Sequence, residues 1–183
     1  MNIEDSLRRF MTRFQALDKS TVDVPTLNDG IIELKLISYQ KGSEYVGYLP
    51  SYFFSIRQAK DTRIEVGRCD LRVGMSPEIP YAGHIGYRVW VSQRGRGYAG
   101  KASRLLMAFA HQLGMEEVLI TCDPDNIPSR RTLEKLNGRF DGVVAVPESS
   151  PCFEAGDREK CQFWYQTKDF LDAPRSASFP YDD

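Results

Sequence analysis

One glycine-rich turn limits the fold of this 183-residue chain more than any other feature. Gly95, Gly97 and Gly100 follow an apolar, strand-like run and stand at the start of an amphipathic helix. Glycines at such a turn let the backbone approach a ligand closely, and a helix N-terminus attracts anions. The pattern predicts a phosphate-binding loop between a strand and a helix.

The same glycines spell G-x-G-x-x-G, the fingerprint of dinucleotide-binding domains. Asp123 stands at about the offset where such domains hold the ribose. However, three or four strands precede the loop, and too few elements follow Asp123 to build a doubly wound sheet. Both observations argue against an NAD-binding oxidoreductase, which stays open as an alternative. A turn without any ligand is a further alternative, since a lone G-x-G-x-x-G is weak evidence.

Charge and composition exclude several classes of partner. The chain has 24 Lys and Arg against 25 Asp and Glu, so no overall charge favours nucleic acid or a membrane surface. The N-terminus has no apolar signal segment, and no apolar run approaches a spanning helix, so we expect a cytoplasmic protein. The four cysteines form no C-x-x-C pair, which predicts neither a metal site nor a disulfide framework.

Hydrophobic periodicity predicts a single α+β domain over residues 1–170 and a flexible tail over residues 171–183. An amphipathic helix over residues 2–17 and a connection up to residue 30 lead into three antiparallel strands, at 31–38, 51–59 and 62–74. A fourth strand ends at the glycine loop. A helix, a short strand, a second helix beginning at Asp125 or Asn126, and two final strands complete the predicted order.

The loop and its surroundings resemble the GNAT superfamily of N-acetyltransferases. Arg94, Gly97 and Ala99 fit the R/Q-x-x-G-x-G/A pattern of that family. The likeness covers residues 83–138, about a third of the chain, with "GHIGY", "RGRGYA" and "ITCDPDNIPSR" in the order shown by a group of predicted acetyltransferases. It implies a GNAT-like acyl-CoA N-acyltransferase fold with a mostly antiparallel central sheet. In that fold the family's fourth and fifth strands splay apart to open a cleft.

The resemblance implies acetyl-CoA as the co-substrate. Its pyrophosphate would lie on the glycine loop, and its 3′-phosphate would pair with Arg96, Lys101 or Arg104. The backbone at the end of the fourth strand would pair with the pantetheine arm and polarise the thioester carbonyl. The implied binding residues are Val89, Trp90, Val91, Arg94, Gly95, Arg96, Gly97, Tyr98, Ala99 and Gly100, with Asn126 and Ser129 on the second helix.

The resemblance also implies direct attack of an amine on the thioester. An amine with a pKa of about 10.4 must lose a proton first, and Glu65 and His84 are the candidate bases. An exposed surface role for Glu65 and a structural role for His84 remain alternatives. Many relatives place an acidic Tyr seven residues after the Asn, where this chain has Leu133. Ser129, Tyr98 or water would then donate the proton to the leaving thiolate.

The acceptor is the least defined part of the predicted function. Many relatives wall the acceptor pocket with two helices between their first and second strands, and residues 41–50 are too few for these. The leading helix is expected to replace them in part. We therefore expect an unidentified small-molecule or peptide amine, and the sequence allows a homodimer. A coenzyme A-binding sensor with little catalysis is the alternative that Leu133 suggests.

Overall fold

The computed structural model describes residues 24–43 and 48–171, so the leading helix predicted over residues 2–17 and the predicted tail beyond Leu171 lie outside the described residues. The described part is an α+β fold. Its strands are β1 (Leu27–Asn28), β2 (Ile32–Gln40), β3 (Ser51–Gln58), β4 (Asp61–Arg72), β5 (Ile85–Val89), β6 (Glu117–Cys122), β7 (Arg139–Ala145) and β8 (Glu159–Gln166). Its α-helices are α1 (Ile79–Ala82), α2 (Tyr98–Gln112), α3 (Ile127–Lys135) and α4 (Pro151–Glu154).

The first sheet has the strand order β1-β2-β3-β4-β5, and each neighbouring pair is antiparallel. Apolar side chains on one face of β3 are fully buried under helix α2. The ring of Phe109 on α2 meets the ring of Tyr52 edge-on at 5.2 Å and that of Phe54 at 6.1 Å. This packing fixes the direction of α2 relative to the sheet, and with it the position of the glycine loop.

The second sheet has the order β6-β8-β7 and is also antiparallel. It meets the first sheet where β5 begins. The N–H of His84 donates to the carbonyl of Leu119 on β6 at 2.7 Å. Beyond this point β5 and β6 belong to different sheets, so a cleft opens between them. The predicted fold class and the predicted splay are confirmed, with β5 and β6 as the family's fourth and fifth strands.

Several boundaries differ from the predicted ones. The fourth strand spans only Ile85–Val89, because Pro80 favours the first turn of helix α1 and Gly83, at φ 69°, ends it. Helix α2 begins at Tyr98, earlier than expected, because Gly97 takes the left-handed conformation and becomes the N-cap. The short strand β1 lies in the expected connection, and helix α4 lies in an expected loop.

The predicted ends of helix α3 are close to the observed ones. Asn126 is the N-cap, and its Oδ1 accepts the N–H of Ser129 at 3.3 Å. Asn137, at φ 59°, supplies the left-handed residue after the last turn. On the other side of the first sheet, Ser43 and Tyr48 exchange backbone hydrogen bonds of 2.8 and 3.2 Å. Within residues 24–43 and 48–171, no helix is long and apolar enough to cross a membrane.

Candidate functional site

The glycine loop presents open backbone at the start of helix α2. Gly95 and Gly97 have φ of 80° and 69°, and a Cβ at either position would meet no atom within 4 Å. The first intrahelical bond after the cap runs from the Lys101 N–H to the Gly97 carbonyl at 3.1 Å. The amides of Tyr98, Ala99 and Gly100 precede that bond and are therefore available to an anion at the helix N-terminus.

A cavity of about 570 Å³ lies in front of this loop, between the end of β5 and helix α3. Its lining includes five cationic side chains and no carboxylate: Arg88, Arg94, Arg96, Arg131 and Lys135. We call it the basic cavity. Exposed guanidinium groups and helix-terminal amides are the groups that bind phosphate oxygens. The basic cavity thus fits a ligand with several phosphates.

The cations around the basic cavity are only partly those expected. Arg94 and Arg96 line it, but Lys101 pairs with Asp29 at 3.5 Å and the Arg104 guanidinium lies 5.5 Å from the ring centre of Phe170. The expected role of Lys101 and Arg104 at the 3′-phosphate is therefore wrong, because both point to other parts of the fold.

Two cations of the basic cavity were missed by the sequence reading. Arg131 and Lys135 lie four residues apart on helix α3 and therefore share one face of it. Their spacing was the available signal, and only the packing of α3 beside the loop gives it a meaning.

The edge of β5 corrects the predicted backbone contacts. The Trp90 N–H donates to the Val66 carbonyl at 2.9 Å, and the Trp90 carbonyl accepts the Gln93 N–H at 2.8 Å. The backbone of Trp90 is thus engaged within the protein, and the expectation for it is wrong. Because hydrogen bonding alternates along an antiparallel pair, the Val89 backbone faces the cleft instead. Val89 lines the basic cavity, whereas Trp90 and Val91 do not.

A hydrogen bond spans the cleft between β5 and helix α3. The hydroxyl of Tyr87 and Oγ of Ser129 are 2.8 Å apart. Burial raises the pKa of Tyr87 to about 12, so its hydroxyl keeps its proton at neutral pH. Tyr87 was missed by the sequence reading, since only the separation of the two sheets brings it to Ser129. We call this pair the Tyr87–Ser129 bridge.

A second cavity, of about 320 Å³, lies on the other side of this bridge. Tyr87, Asn126 and Ser129 line both cavities, so the two meet there. We call the smaller one the mixed-charge pocket. Its wall comes from α1 and from the loop before β8, which are held together by a hydrogen bond of 2.6 Å from Ser150 Oγ to Glu78 Oε2.

Two ion-pair groups form the charged part of the mixed-charge pocket. Lys160 Nζ lies 2.5 Å from Asp123 Oδ1 and 2.8 Å from Asp157 Oδ2. Burial favours the neutral amine, but the hydrogen bonds to both carboxylates outweigh it and raise the pKa of Lys160. Arg72 pairs with Asp70 at 3.0 Å.

Arg72 is also held from the side of α1. Its guanidinium donates to the carbonyls of Ala82 and Gly83 at 3.3 and 3.2 Å. Asp123, which sits at the ribose offset of a dinucleotide fingerprint, thus lies in the mixed-charge pocket and not in front of the glycine loop.

His84 joins the two sheets and is not placed to act as a base. Its side chain is 1% exposed and lines neither cavity. Nδ1 accepts the Leu119 N–H at 2.8 Å, so the ring proton is on Nε2, which donates to the Gly74 carbonyl at 3.0 Å. Burial lowers the pKa of His84 to about 4. Both ring nitrogens are occupied, and this candidate base is corrected to a structural residue.

Glu65 and Leu133 also lie away from the cleft. Glu65 pairs with Arg68 at 3.1 Å and Arg57 at 3.7 Å, and it lines neither cavity. The candidate base Glu65 is therefore corrected to a sheet-surface residue. Leu133 is fully buried, and its carbonyl accepts the Tyr165 hydroxyl at 2.8 Å. In the described part of the chain, no group of three His, Cys, Asp or Glu residues could hold a metal ion.

Comparison with known proteins agrees with this geometry. The model of the acetyltransferase (GNAT) domain matches residues 25–139, more than half of the chain. The chain is 28% identical over 101 residues to the uncharacterized N-acetyltransferase YnaD of Bacillus subtilis. That match covers 52% of this chain and 56% of YnaD, so the chain spans about half of that relative's length.

Solved structures share the fold. A GNAT-family acetyltransferase from Bacillus anthracis matches with a TM-score of 0.50 at 20% identity, over 63% of this chain and 66% of that one. A ribosomal-protein-S5-alanine acetyltransferase from Vibrio fischeri matches with a TM-score of 0.51 at 15% identity, over 66% and 63%. All strand pairs among the described residues are antiparallel, which does not support the dinucleotide alternative. The chain belongs to the GNAT acetyltransferase family.

Proposed function

We propose that this protein is an acetyl-CoA-dependent N-acetyltransferase that acts on an amine. One observation carries the proposal: two cavities of different charge meet at the Tyr87–Ser129 bridge. The basic cavity suits the phosphates of the donor, and the mixed-charge pocket offers the acceptor a separate approach. A transferase that joins two substrates directly needs this arrangement, because both must reach one point at the same time.

The fit of the basic cavity to coenzyme A rests on its lining. The amides of the first turn of α2 and the open space at Gly95 and Gly97 would hold the pyrophosphate, with Arg94 and Arg96 beside it. Arg131 and Lys135 would pair with the 3′-phosphate. When bound, the co-substrate supplies an acetyl group activated as a thioester. The cleft-facing backbone of Val89 would align the pantetheine arm, with Asn126 on the opposite wall.

The Tyr87–Ser129 bridge supplies the proton-donating group that Leu133 does not. The Tyr87 hydroxyl donates to Ser129 Oγ, and the Ser129 hydroxyl then donates to the leaving sulfur. A phenol with a pKa of about 12 holds its proton more tightly than a thiol with a pKa of about 8.5. The bridge therefore acts as a hydrogen-bond donor to the thiolate rather than as a full proton source.

Calorimetry and a thiol-release assay test this proposal. We expect acetyl-CoA and coenzyme A to bind and NAD to remain unbound, and we expect amine-dependent release of free thiol. Binding of NAD without coenzyme A would overturn the assignment of the basic cavity. Binding of coenzyme A with no thiol release over a broad amine panel would instead support the coenzyme A-binding sensor.

A further inference from the structure

The mixed-charge pocket carries more negative than positive charge. Three carboxylates, Asp70, Asp123 and Asp157, face two cations, Arg72 and Lys160, so one negative charge is uncompensated. The basic cavity on the other side of the Tyr87–Ser129 bridge contains cations alone. An amine acceptor that carries a net positive charge is therefore attracted to the pocket and repelled from the donor side.

The cations of the pocket are already paired, which makes them poor ligands for an acceptor's carboxylate. Lys160 is 12% exposed and is held between Asp123 and Asp157. Arg72 spends its guanidinium on Asp70 and on two backbone carbonyls. To bind a carboxylate, either side chain would have to break an existing ion pair in a partly buried place, and that costs free energy.

Asp123 is the carboxylate best placed to receive an ammonium group. Its side chain is 42% exposed, and the contact to Lys160 uses one oxygen, Oδ1. A carboxylate has about four acceptor positions, so the second oxygen can take another donor. Asp123 also lies in the β6–α3 loop, three residues before Asn126, which lines both cavities. An ammonium bound at Asp123 is thus beside the meeting point of the two cavities.

We propose that the mixed-charge pocket takes a compact, net-cationic amine without a carboxylate, and that Asp123 binds its ammonium group. Lys160 is a positioning residue that orients Asp123 and Asp157. This proposal rests on the proposed function and names its acceptor class. Its volume of about 320 Å³ is at the lower end for small-molecule sites, which fits a compact ligand.

The chemistry of transfer agrees with this acceptor class. The ammonium loses one proton to solvent, and its nitrogen forms the bond to the acetyl carbon. The bond from that carbon to sulfur breaks, and the sulfur leaves with the electron pair and takes a proton. The product amide is uncharged, so it loses its attraction to Asp123 and leaves the pocket more easily than the amine binds.

Three linear amines of similar size test the acceptor class: 1,4-diaminobutane, 4-aminobutan-1-ol and 4-aminobutanoate. They differ chiefly in net charge. Their binding to the full chain is measured by calorimetry in the presence of saturating coenzyme A, and KM and kcat are measured with acetyl-CoA. We expect the diamine and the amino alcohol to bind at least about tenfold more tightly than the zwitterion. Equal or tighter binding of 4-aminobutanoate, or no binding of any of the three, would overturn the proposal.

Variants of Asp123 test the named residue. Asp123→Asn should weaken binding of 4-aminobutan-1-ol about tenfold and raise its KM, with the affinity for coenzyme A unchanged. Asp123→Glu keeps the charge and should preserve the order of the three amines. Asp141→Asn is the matched control, because Asp141 pairs with Arg139 on β7 and lines neither cavity.

Unchanged amine affinity in a folded Asp123→Asn variant would reject the role of Asp123. If that variant does not fold, loss of the amine order in Asp123→Glu would reject it as well. Failure of the proposed function is seen separately, as absence of coenzyme A binding to the wild-type chain. If coenzyme A binds and thiol is released but the zwitterion is preferred, only the acceptor class is wrong.

Discussion

The two cavities differ in how their charges are used. In the basic cavity, Arg94 and Arg96 are exposed on a loop, and Arg131 is exposed on a helix; their guanidinium groups are available to an incoming anion. In the mixed-charge pocket, Arg72 and Lys160 are partly buried and tied to carboxylates. The first arrangement suits a highly charged ligand that brings its own anions. The second suits a small ligand whose single charge must be selected.

The difference teaches that a cation in a sequence does not by itself predict an anion site. Lys101 and Arg104 stand closer to the glycine loop in sequence than Arg131 does, yet only Arg131 lines the cavity. What matters is the direction in which a helix presents the side chain and whether a carboxylate already neutralises it. Four predictions test the contrast between the cavities.

Gly97→Glu should have the largest effect, and it should act on the basic cavity alone. The open space beside Gly97 would receive a carboxylate where the pyrophosphate lies, so we expect acetyl-CoA affinity to fall at least about 100-fold. Calorimetry measures the change. Gly142→Glu is the matched control, since Gly142 also has a positive φ, of 121°, and open space at its Cβ, but lines neither cavity. Retained affinity in Gly97→Glu would refute the assignment of the loop.

His84 should make the junction of the two sheets sensitive to acid. Its pKa is about 4 in the folded chain and 6.5 ordinarily, so the unfolded chain binds the proton first as pH falls. The stabilisation is complete above about pH 6.5 and is lost towards pH 4, with a slope of up to about 1.4 kcal/mol per pH unit. Urea unfolding between these pH values measures it. His84→Gln should be less stable at neutral pH and should lack this part of the slope; an identical slope in both proteins would contradict the prediction.

Ser129→Ala removes the atom through which the Tyr87–Ser129 bridge reaches the leaving sulfur. We expect kcat to fall about 10- to 100-fold with little change in acetyl-CoA affinity. Tyr87→Phe should have a smaller effect, because Ser129 keeps its own hydroxyl. Steady-state kinetics of both single variants and of the double variant measure the coupling. Effects that simply add would show that the two hydroxyls act independently.

Arg96→Gln and Arg131→Gln should have the smallest effects, since each removes one exposed cation among five. We expect acetyl-CoA affinity to fall about 3- to 10-fold in each. Arg104→Gln is the control on the same helix as the loop, and it should leave the affinity unchanged because Arg104 lies over Phe170. Comparing coenzyme A with dephospho-coenzyme A then identifies which cation meets the 3′-phosphate. Equal losses in Arg104→Gln would remove the distinction between the two faces of α2.

Local sequence patterns were sufficient where the physics is local. The glycines at positive φ, the amphipathic face of α2 and the Asn126 cap depend on neighbours within a few residues, and all were expected near where they occur. Short helices such as α1 and α4 were missed, because four residues give too little periodicity to read. The base candidates failed for a different reason. A strand position does not show whether a side chain meets a carboxylate, a backbone group or a ligand.

By itself, the sequence determined the family, the fold class and the anion-binding turn of this protein, because those follow from residues close together in the chain. Only the tertiary structure decided which groups meet at the cleft. It separated β5 from β6, brought Tyr87 to Ser129 across 42 positions, and placed Lys160 between Asp123 and Asp157. Such contacts depend on how two sheets diverge and on which charges are buried together, and no spacing along the chain encodes either.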